Sequence, residues 1–211
     1  LIRLAGEEII KIYFRQQADW KVSLKEDRTP LTEADRLSNS VINEGLKKLF
    51  PEIPIISEEN REIPYDIRRK YEYYWLLDPL DGTKEFLKQN GEFTVNLALI
   101  QQGKPVAGFI SVPVKGWFYF AVKGRGAYKI EIGEKQDGSQ GERQIQQVKQ
   151  DNKLQLRAAQ FSIDDPGLTV LASRSHFDRE TRKFIESLNQ PRLESRGSSL
   201  KFMMLAEGLG H

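Results

Sequence analysis

Residues 73–100 read YYWLLDPLDGTKEFLKQNGEFTVNLALI, and the segment WLLDPLDGTKEF (75–86) inside them decides the fold. The apolar run Trp75-Leu76-Leu77 has the composition of a buried strand. It ends in two aspartates, Asp78 and Asp81, with Pro79 between them and Gly82-Thr83 directly after. A strand that merely exits into solvent needs one or two turn-forming residues. Carboxylates crowded this closely repel each other unless a cation sits between them, so the junction reads as a metal-binding loop.

The rest of the composition narrows the ligand chemistry. Cysteine is absent and the only histidines are His176 and His211. Thiolate and multi-histidine sites are thereby excluded, which leaves oxygen ligands and hence Mg²⁺, Mn²⁺ or Ca²⁺. The 211 residues carry 32 basic and 30 acidic side chains, a net charge of +2. That balance gives no electrostatic case for nucleic acid or a membrane surface. No apolar run approaches the roughly 20 residues of a membrane span. The opening LIRLAGEEIIKIYFRQ is amphipathic and acid-containing, unlike a signal or transit peptide, so a cytoplasmic protein is expected. With 39% hydrophobic and 29% charged residues, a packed core under a charged surface follows. The chain lacks an initiator Met, and a few residues are expected to be missing there.

Periodicity supplies the elements. Residues 1–17 place Leu1, Leu4, Ile9, Ile12 and Tyr13 at helical spacing. Residues 18–30 read as a strand or extended loop. A second helix starts at Thr32-Glu33-Ala34-Asp35, where Thr32 and Asp35 resemble a capping box with Asp in place of Glu or Gln. Strands are expected near 51–57 and 73–77, a helical turn over 84–88, and an antiparallel meander over 93–100, 105–112 and 117–122. Residues 131–153, rich in Gln, Glu, Lys and Gly, read as an exposed hairpin tip or loop and as the domain boundary. A strand at 169–172 and helices at 179–188 and 199–207 follow. The whole implies a layered α/β fold.

Acids recur where strands end or helices begin: Asp35, Glu58-Glu59, and Asp78 with Asp81. Taken singly, Glu58-Glu59 is a solvated surface pair and Asp35 a helix-start residue. Taken with TEAD (32–35) and SEE (57–59), WLLDPLDGTKEF resembles the inositol monophosphatase superfamily of Mg²⁺-dependent, lithium-sensitive phosphatases. DGTKEF, NGEFTVNLALI (90–100), SRSH (173–176) and GSSLK (197–201) are more similar to its 3′(2′),5′-bisphosphate nucleotidases.

The resemblance implies a layered α-β-α-β-α sandwich, with a metal-binding domain over 1–155 and an incomplete α/β substrate domain over 156–211. It implies that Glu58, Asp78, the Leu80 carbonyl and Asp81 hold two or three Mg²⁺ ions, with Mn²⁺ as a substitute. Glu58, Thr83 and Asp35 would act in catalysis, positioning the attacking water. Gly82 and Thr83 would hold phosphate, with His176, Ser198 and Lys201 as further substrate contacts. The implied reaction is hydrolysis of the 3′-phosphate of adenosine 3′,5′-bisphosphate, in sulfur metabolism, with the sulfated analogue as a second substrate. Inositol phosphate or fructose bisphosphate hydrolysis, or a non-catalytic metal- and phosphate-binding module, are the alternatives. The family also carries a later W-D-x-A-A-G aspartate. None of Trp20, Trp75 and Trp117 is followed by Asp, so a truncated chain is expected.

Overall fold

The structure is a computed structural model that describes residues 1–16, 20, 22–24, 30–132, 153–173 and 177–211. Helix α1 (Ile2–Tyr13) buries Ile2, Ala5, Ile9, Ile12 and Tyr13, the spacing of one helical face. Strands β1 (Val22–Leu24) and β2 (Pro30–Thr32) form an antiparallel pair that leads into α2 (Glu33–Leu49). The capping box is present in full: Thr32 Oγ1 accepts from the Asp35 N–H, and the Asp35 carboxylate accepts from the Thr32 N–H. Asp, one methylene shorter than Glu, still closes it.

A seven-stranded sheet forms the centre, in the sequential order β3 to β9. Strand β3 (Ile55–Ser57) lies parallel to β4 (Tyr73–Asp81), and the short helix α3 (Tyr65–Arg68) sits in their connection. From β4 onward every pairing is antiparallel, through β5 (Thr94–Gln101), β6 (Lys104–Val112), β7 (Trp117–Val122), β8 (Gly126–Glu131) and β9 (Lys153–Gln155). Helix α4 (Thr83–Leu87) follows β4 directly. The expected meander is therefore present and two strands longer. Most of the 131–153 stretch lies outside the described residues.

Side-chain alternation decides which face is which. Trp75, Leu77, Val95 and Leu97 point to the side where Ile9, Ile12, Ile42 and Leu46 of α1 and α2 pack, with Phe86 and Phe93 closing the end. Each such side chain contributes about 1.5–3 kcal/mol on burial. The residues between them, Leu76, Asp78, Thr94 and Asn96, face the other way.

On that second side lies α6 (Leu200–Ala206). Tyr119 donates its hydroxyl to Glu207 at 2.6 Å, and Lys129 reaches the same carboxylate at 3.2 Å while lying 3.8 Å from the Trp117 ring centroid. Behind α6 stand the parallel strands β10 (Thr169–Ser173) and β11 (Arg192–Arg196), with α5 (Arg179–Glu186) in their crossover. The layers follow the α-β-α-β-α order. Among the described residues no helix is long and apolar enough to cross a membrane.

Candidate active site

The register of β4 on β5 explains the opening motif. Asp78 pairs with Asn96 and Asp81 with Thr94, so Pro79 and Leu80 stand opposite the single residue Val95. In a regular strand, residues three apart point to opposite faces. The extra residue of this bulge restores Asp81 to the face of Asp78, because Thr94 and Asn96, two apart, share a face. Proline suits the position, since a bulged residue gives up its ladder hydrogen bond. The Pro79 carbonyl instead accepts from Ser38 Oγ of α2 at 2.6 Å.

Four acids surround this bulge. Asp78 is pushed up to about 7, first by burial and then by the charges of Asp81, Glu58 and Asp35. Its Oδ1 accepts from the Leu80 N–H at 3.2 Å. Glu58 follows β3 in an exposed turn and is tied to β4 by its own N–H, which donates to the Leu77 carbonyl at 3.2 Å. Asp35 is 1% exposed. Burial raises its pKa and the donors on Thr32 oppose that rise: the Thr32 N–H at 2.8 Å and hydroxyl at 2.5 Å both reach Oδ2. Its other oxygen accepts from Thr83 Oγ1 at 3.3 Å.

Gly82 has φ of 92°, and an added Cβ would lie 3.0 Å from the Glu92 carbonyl oxygen and 3.1 Å from Ser198 Cβ. Glycine is required there for conformation and space alike. The same contact brings the Gly197-Ser198-Ser199 segment to the bulge. Ser198 Oγ donates to Asp81 Oδ2 at 2.6 Å. Lys201 turns back on its own segment, donating to the Ser198 carbonyl at 2.7 Å and the Arg196 carbonyl at 3.4 Å. The Leu80 carbonyl lies 3.4 Å from Thr83 Oγ1 as an alternative acceptor for that hydroxyl's one proton. His176 lies outside the described residues. Asp35, Glu58, Asp78, Leu80, Asp81, Gly82, Thr83 and Ser198 are thus neighbours, and Lys201 is one turn away.

Among the described residues no group of three acidic or histidine side chains closes into a ready metal-ligand cluster. Asp81 is held by Ser198, and Asp35 by Thr32 and Thr83. The donor chemistry nevertheless suits a hard divalent cation, being all oxygen, and Asp78 is pushed up to about 7 by burial and by its acidic neighbours.

Thr94, Asn96 and Ser199 escaped the sequence reading. Thr94, fully buried, lies 2.8 Å from Ser198 Oγ and 2.9 Å from Ser199 Oγ, and Asn96 Oδ1 accepts from Thr94 and Ser199 at 3.1 Å each. The signal was present: Thr94 and Asn96 are two polar residues on one face of an otherwise apolar strand. An open cleft of about 780 Å³ begins at Glu58, Asp78 and Asn96 and runs over Leu76, Phe120 and Tyr128 to Met203.

Known proteins resemble this chain in sequence and fold. The chain is 41% identical over 208 residues to the 3′(2′),5′-bisphosphate nucleotidase CysQ of Salmonella typhimurium, a match spanning 99% of the chain and 74% of that relative. The crystal structure of CysQ from Bacteroides thetaiotaomicron, 37% identical, superposes with a TM-score of 0.72 over 98% of the chain and 73% of that structure. An IMPase from Thermotoga maritima, 22% identical, shares the fold at a TM-score of 0.72 over 99% of the chain and 70% of its own. The model of the inositol monophosphatase family matches residues 1–211 throughout, and the chain belongs to that family.

Proposed function

We propose that this protein is a divalent-metal-dependent 3′(2′),5′-bisphosphate nucleotidase that removes the 3′-phosphate of adenosine 3′,5′-bisphosphate. The observation that carries the reading is the β4 bulge, which brings Asp78 and Asp81 to one face beside Glu58 and the Thr83–Asp35 pair. Similarity to the CysQ nucleotidases across nearly the whole chain supports the substrate class. The division near residue 155 belongs to the same proposal. It is supported by the β10–β11 pair, which forms a sheet separate from the seven-stranded one.

Glu58, Asp78, Asp81 and the Leu80 carbonyl are the residues that would hold Mg²⁺. When bound, such ions supply Lewis acidity at the phosphoryl oxygens and lower the pKa of water. The protein's own part is orientation. Asp35 accepts from the Thr32 amide and hydroxyl and from the Thr83 hydroxyl, so it serves as a fixed acceptor. With its proton committed to Asp35, the Thr83 oxygen offers only lone pairs to a water, which it aligns jointly with Glu58. The water oxygen bonds to phosphorus as the bond from phosphorus to the ribose 3′-oxygen breaks; the water gives up one proton and the departing 3′-oxygen gains one, leaving a ribose hydroxyl and phosphate. Positioning of this kind needs no covalent intermediate.

Phosphate release decides the matter. Adenosine 3′,5′-bisphosphate, its sulfated analogue, inositol 1-phosphate and fructose 1,6-bisphosphate are compared with Mg²⁺, with chelator and with added Li⁺. Metal-dependent, lithium-inhibited release that favours the nucleotide is expected. Preference for inositol phosphate, or binding of nucleotide without release, would refute the reading.

A further inference from the structure

The turn carrying Glu58 is held by more than its own backbone. Within it the Asn60 N–H donates to the Ser57 carbonyl at 3.2 Å, and the Glu59 N–H to Ser57 Oγ at 3.3 Å. Facing it on α2 are Asn39 and Asn43, one helical turn apart. Their amides and that of Asn60 form a closed ring. Asn39 Nδ2 donates to Asn60 Oδ1 at 3.0 Å, Asn60 Nδ2 to Asn43 Oδ1 at 2.9 Å, and Asn43 Nδ2 to Asn39 Oδ1 at 2.8 Å. Ser57 Oγ donates into the ring at Asn39 Oδ1, 2.7 Å away. Asn43 and Ser57 are each only 8% exposed.

Each amide gives one donor and accepts at its one oxygen around the ring, all in the same sense. Rotating any single amide by half a turn would set donor against donor on one side and acceptor against acceptor on the other. The three orientations are therefore mutually fixed, and bonds in such a closed chain polarise one another. Apolar side chains could pack a three-residue strand against a helix at lower desolvation cost, but without directional restraint. A directional restraint matters where the restrained turn carries an acid whose position counts.

We propose that Asn39, Asn43 and Asn60 are positioning residues. The ring locks the Ser57–Asn60 turn to α2 and so sets where the Glu58 carboxylate stands relative to Asp78 and Asp35. None of the three needs to touch substrate. The same helix fixes the β4 bulge through Ser38 and Pro79, so both acid-bearing loops are referenced to one rigid body. The inference rests on the functional reading above.

The test compares the whole protein with Asn60→Ala and the milder Asn60→Ser. Asp165→Ala, which removes the acceptor of the Ser162 N–H on an exposed turn, is the control. Mn²⁺ affinity is measured directly by titration, amide hydrogen exchange is followed at residues 57–60, and kcat and KM are separated. Residues that orient a ligand typically change metal affinity by 10- to 100-fold when removed. Asn60→Ala is expected to weaken Mn²⁺ binding by at least about 10-fold, lower kcat, speed exchange at 57–60 and leave the nucleotide KM within about twofold. Asn60→Ser should shift in the same direction, and Asp165→Ala should match wild type. Mn²⁺ affinity and kcat within about twofold of wild type in both Asn60 variants, or unchanged exchange at the turn, would overturn the role of the ring alone. A wild-type protein that neither binds Mn²⁺ nor releases phosphate would overturn the functional reading, and the positioning role with it.

Discussion

Replacing Asp78 by Asn should make the metal-free protein more stable while abolishing its response to metal. In the folded chain Asp78 titrates at about 7 instead of its ordinary 3.8, because burial and three neighbouring acids disfavour its charge. A carboxyl whose folded pKa lies above its unfolded value binds more protons when folded. Its stabilising protonation is complete below pH 4 and is lost as pH rises through 7. At about 1.4 kcal/mol per pH unit the gap amounts to at most about 4 kcal/mol at pH 8. Asparagine keeps the shape and the Oδ1 that accepts from the Leu80 N–H, and removes the charge. In chelator at pH 8, Asp78→Asn should therefore gain about 1–4 kcal/mol, or several degrees of midpoint for a chain of this size. The gain should shrink to about half near pH 5.5 and vanish near pH 4. Wild type should be stabilised by added Mg²⁺ and the variant should not. Denaturant melts at three pH values, with and without Mg²⁺, provide the measurement. A variant no more stable than wild type at pH 8, or a gain independent of pH, would refute the argument that burial and its acidic neighbours disfavour the Asp78 charge.

Three further substitutions probe separate parts. Thr83→Ala keeps the backbone and loses the hydroxyl that lies between Asp35 and the Leu80 carbonyl, so turnover should drop by roughly 100-fold with phosphate affinity within a few-fold, read by steady-state kinetics and titration. Thr32→Val removes the cap of α2 and one donor to Asp35. It should cost about 1–2 kcal/mol in chemical denaturation and lower kcat beyond what that loss of stability explains. Lys129→Met leaves Glu207 without its cation at the end of α6, and calorimetry should show a loss of about 2–4 kcal/mol even though no proposed site residue is touched.

Local rules made much of this legible. TEAD carries its capping box on its face, and Ile9, Ile12 and Tyr13 fall on one helical stripe, whereas Leu4, expected beside them, is exposed because it lies off the face that packs on the sheet. The strands of the meander are separated by recognisable turns. Elements that depend on partners were harder to see. Strand β11, RLESR, has no apolar alternation and is a strand only because β10 pairs with it residue for residue. Strand β8 follows the Lys123-Gly124-Arg125 turn, a hairpin signal that went unread beside the polar stretch after it. The acids at 78 and 81 were visible, but three residues apart on a strand they should point in opposite directions. Only the register against Thr94 and Asn96 shows the bulge that unites them. Lys201, expected to meet substrate, donates to carbonyls of its own segment, a local contact that spacing alone does not show.

The amide ring and the hydroxyl cluster were illegible for a stronger reason: each joins residues from elements distant in sequence. Asn39 and Asn43 look like the polar side of a helix until Asn60 is set opposite them. Ser198 looks like a loop residue until Asp81 and Thr94 come within 2.8 Å. Helix α2 ties these facts together. Its first turn holds Asp35 through the cap, its second holds the β4 bulge through Ser38, and its middle holds the Glu58 turn through the ring. A shift of α2 would move three acid-bearing segments together and preserve their mutual geometry, whereas loss of any one tether would move one acid against the others. Substitutions in the apolar stripe of α2, such as Ile42→Val, should therefore cost stability with little change in the ratio of kcat to metal affinity. Substitutions in its polar tethers should change kcat and metal affinity by more than any accompanying loss of stability explains.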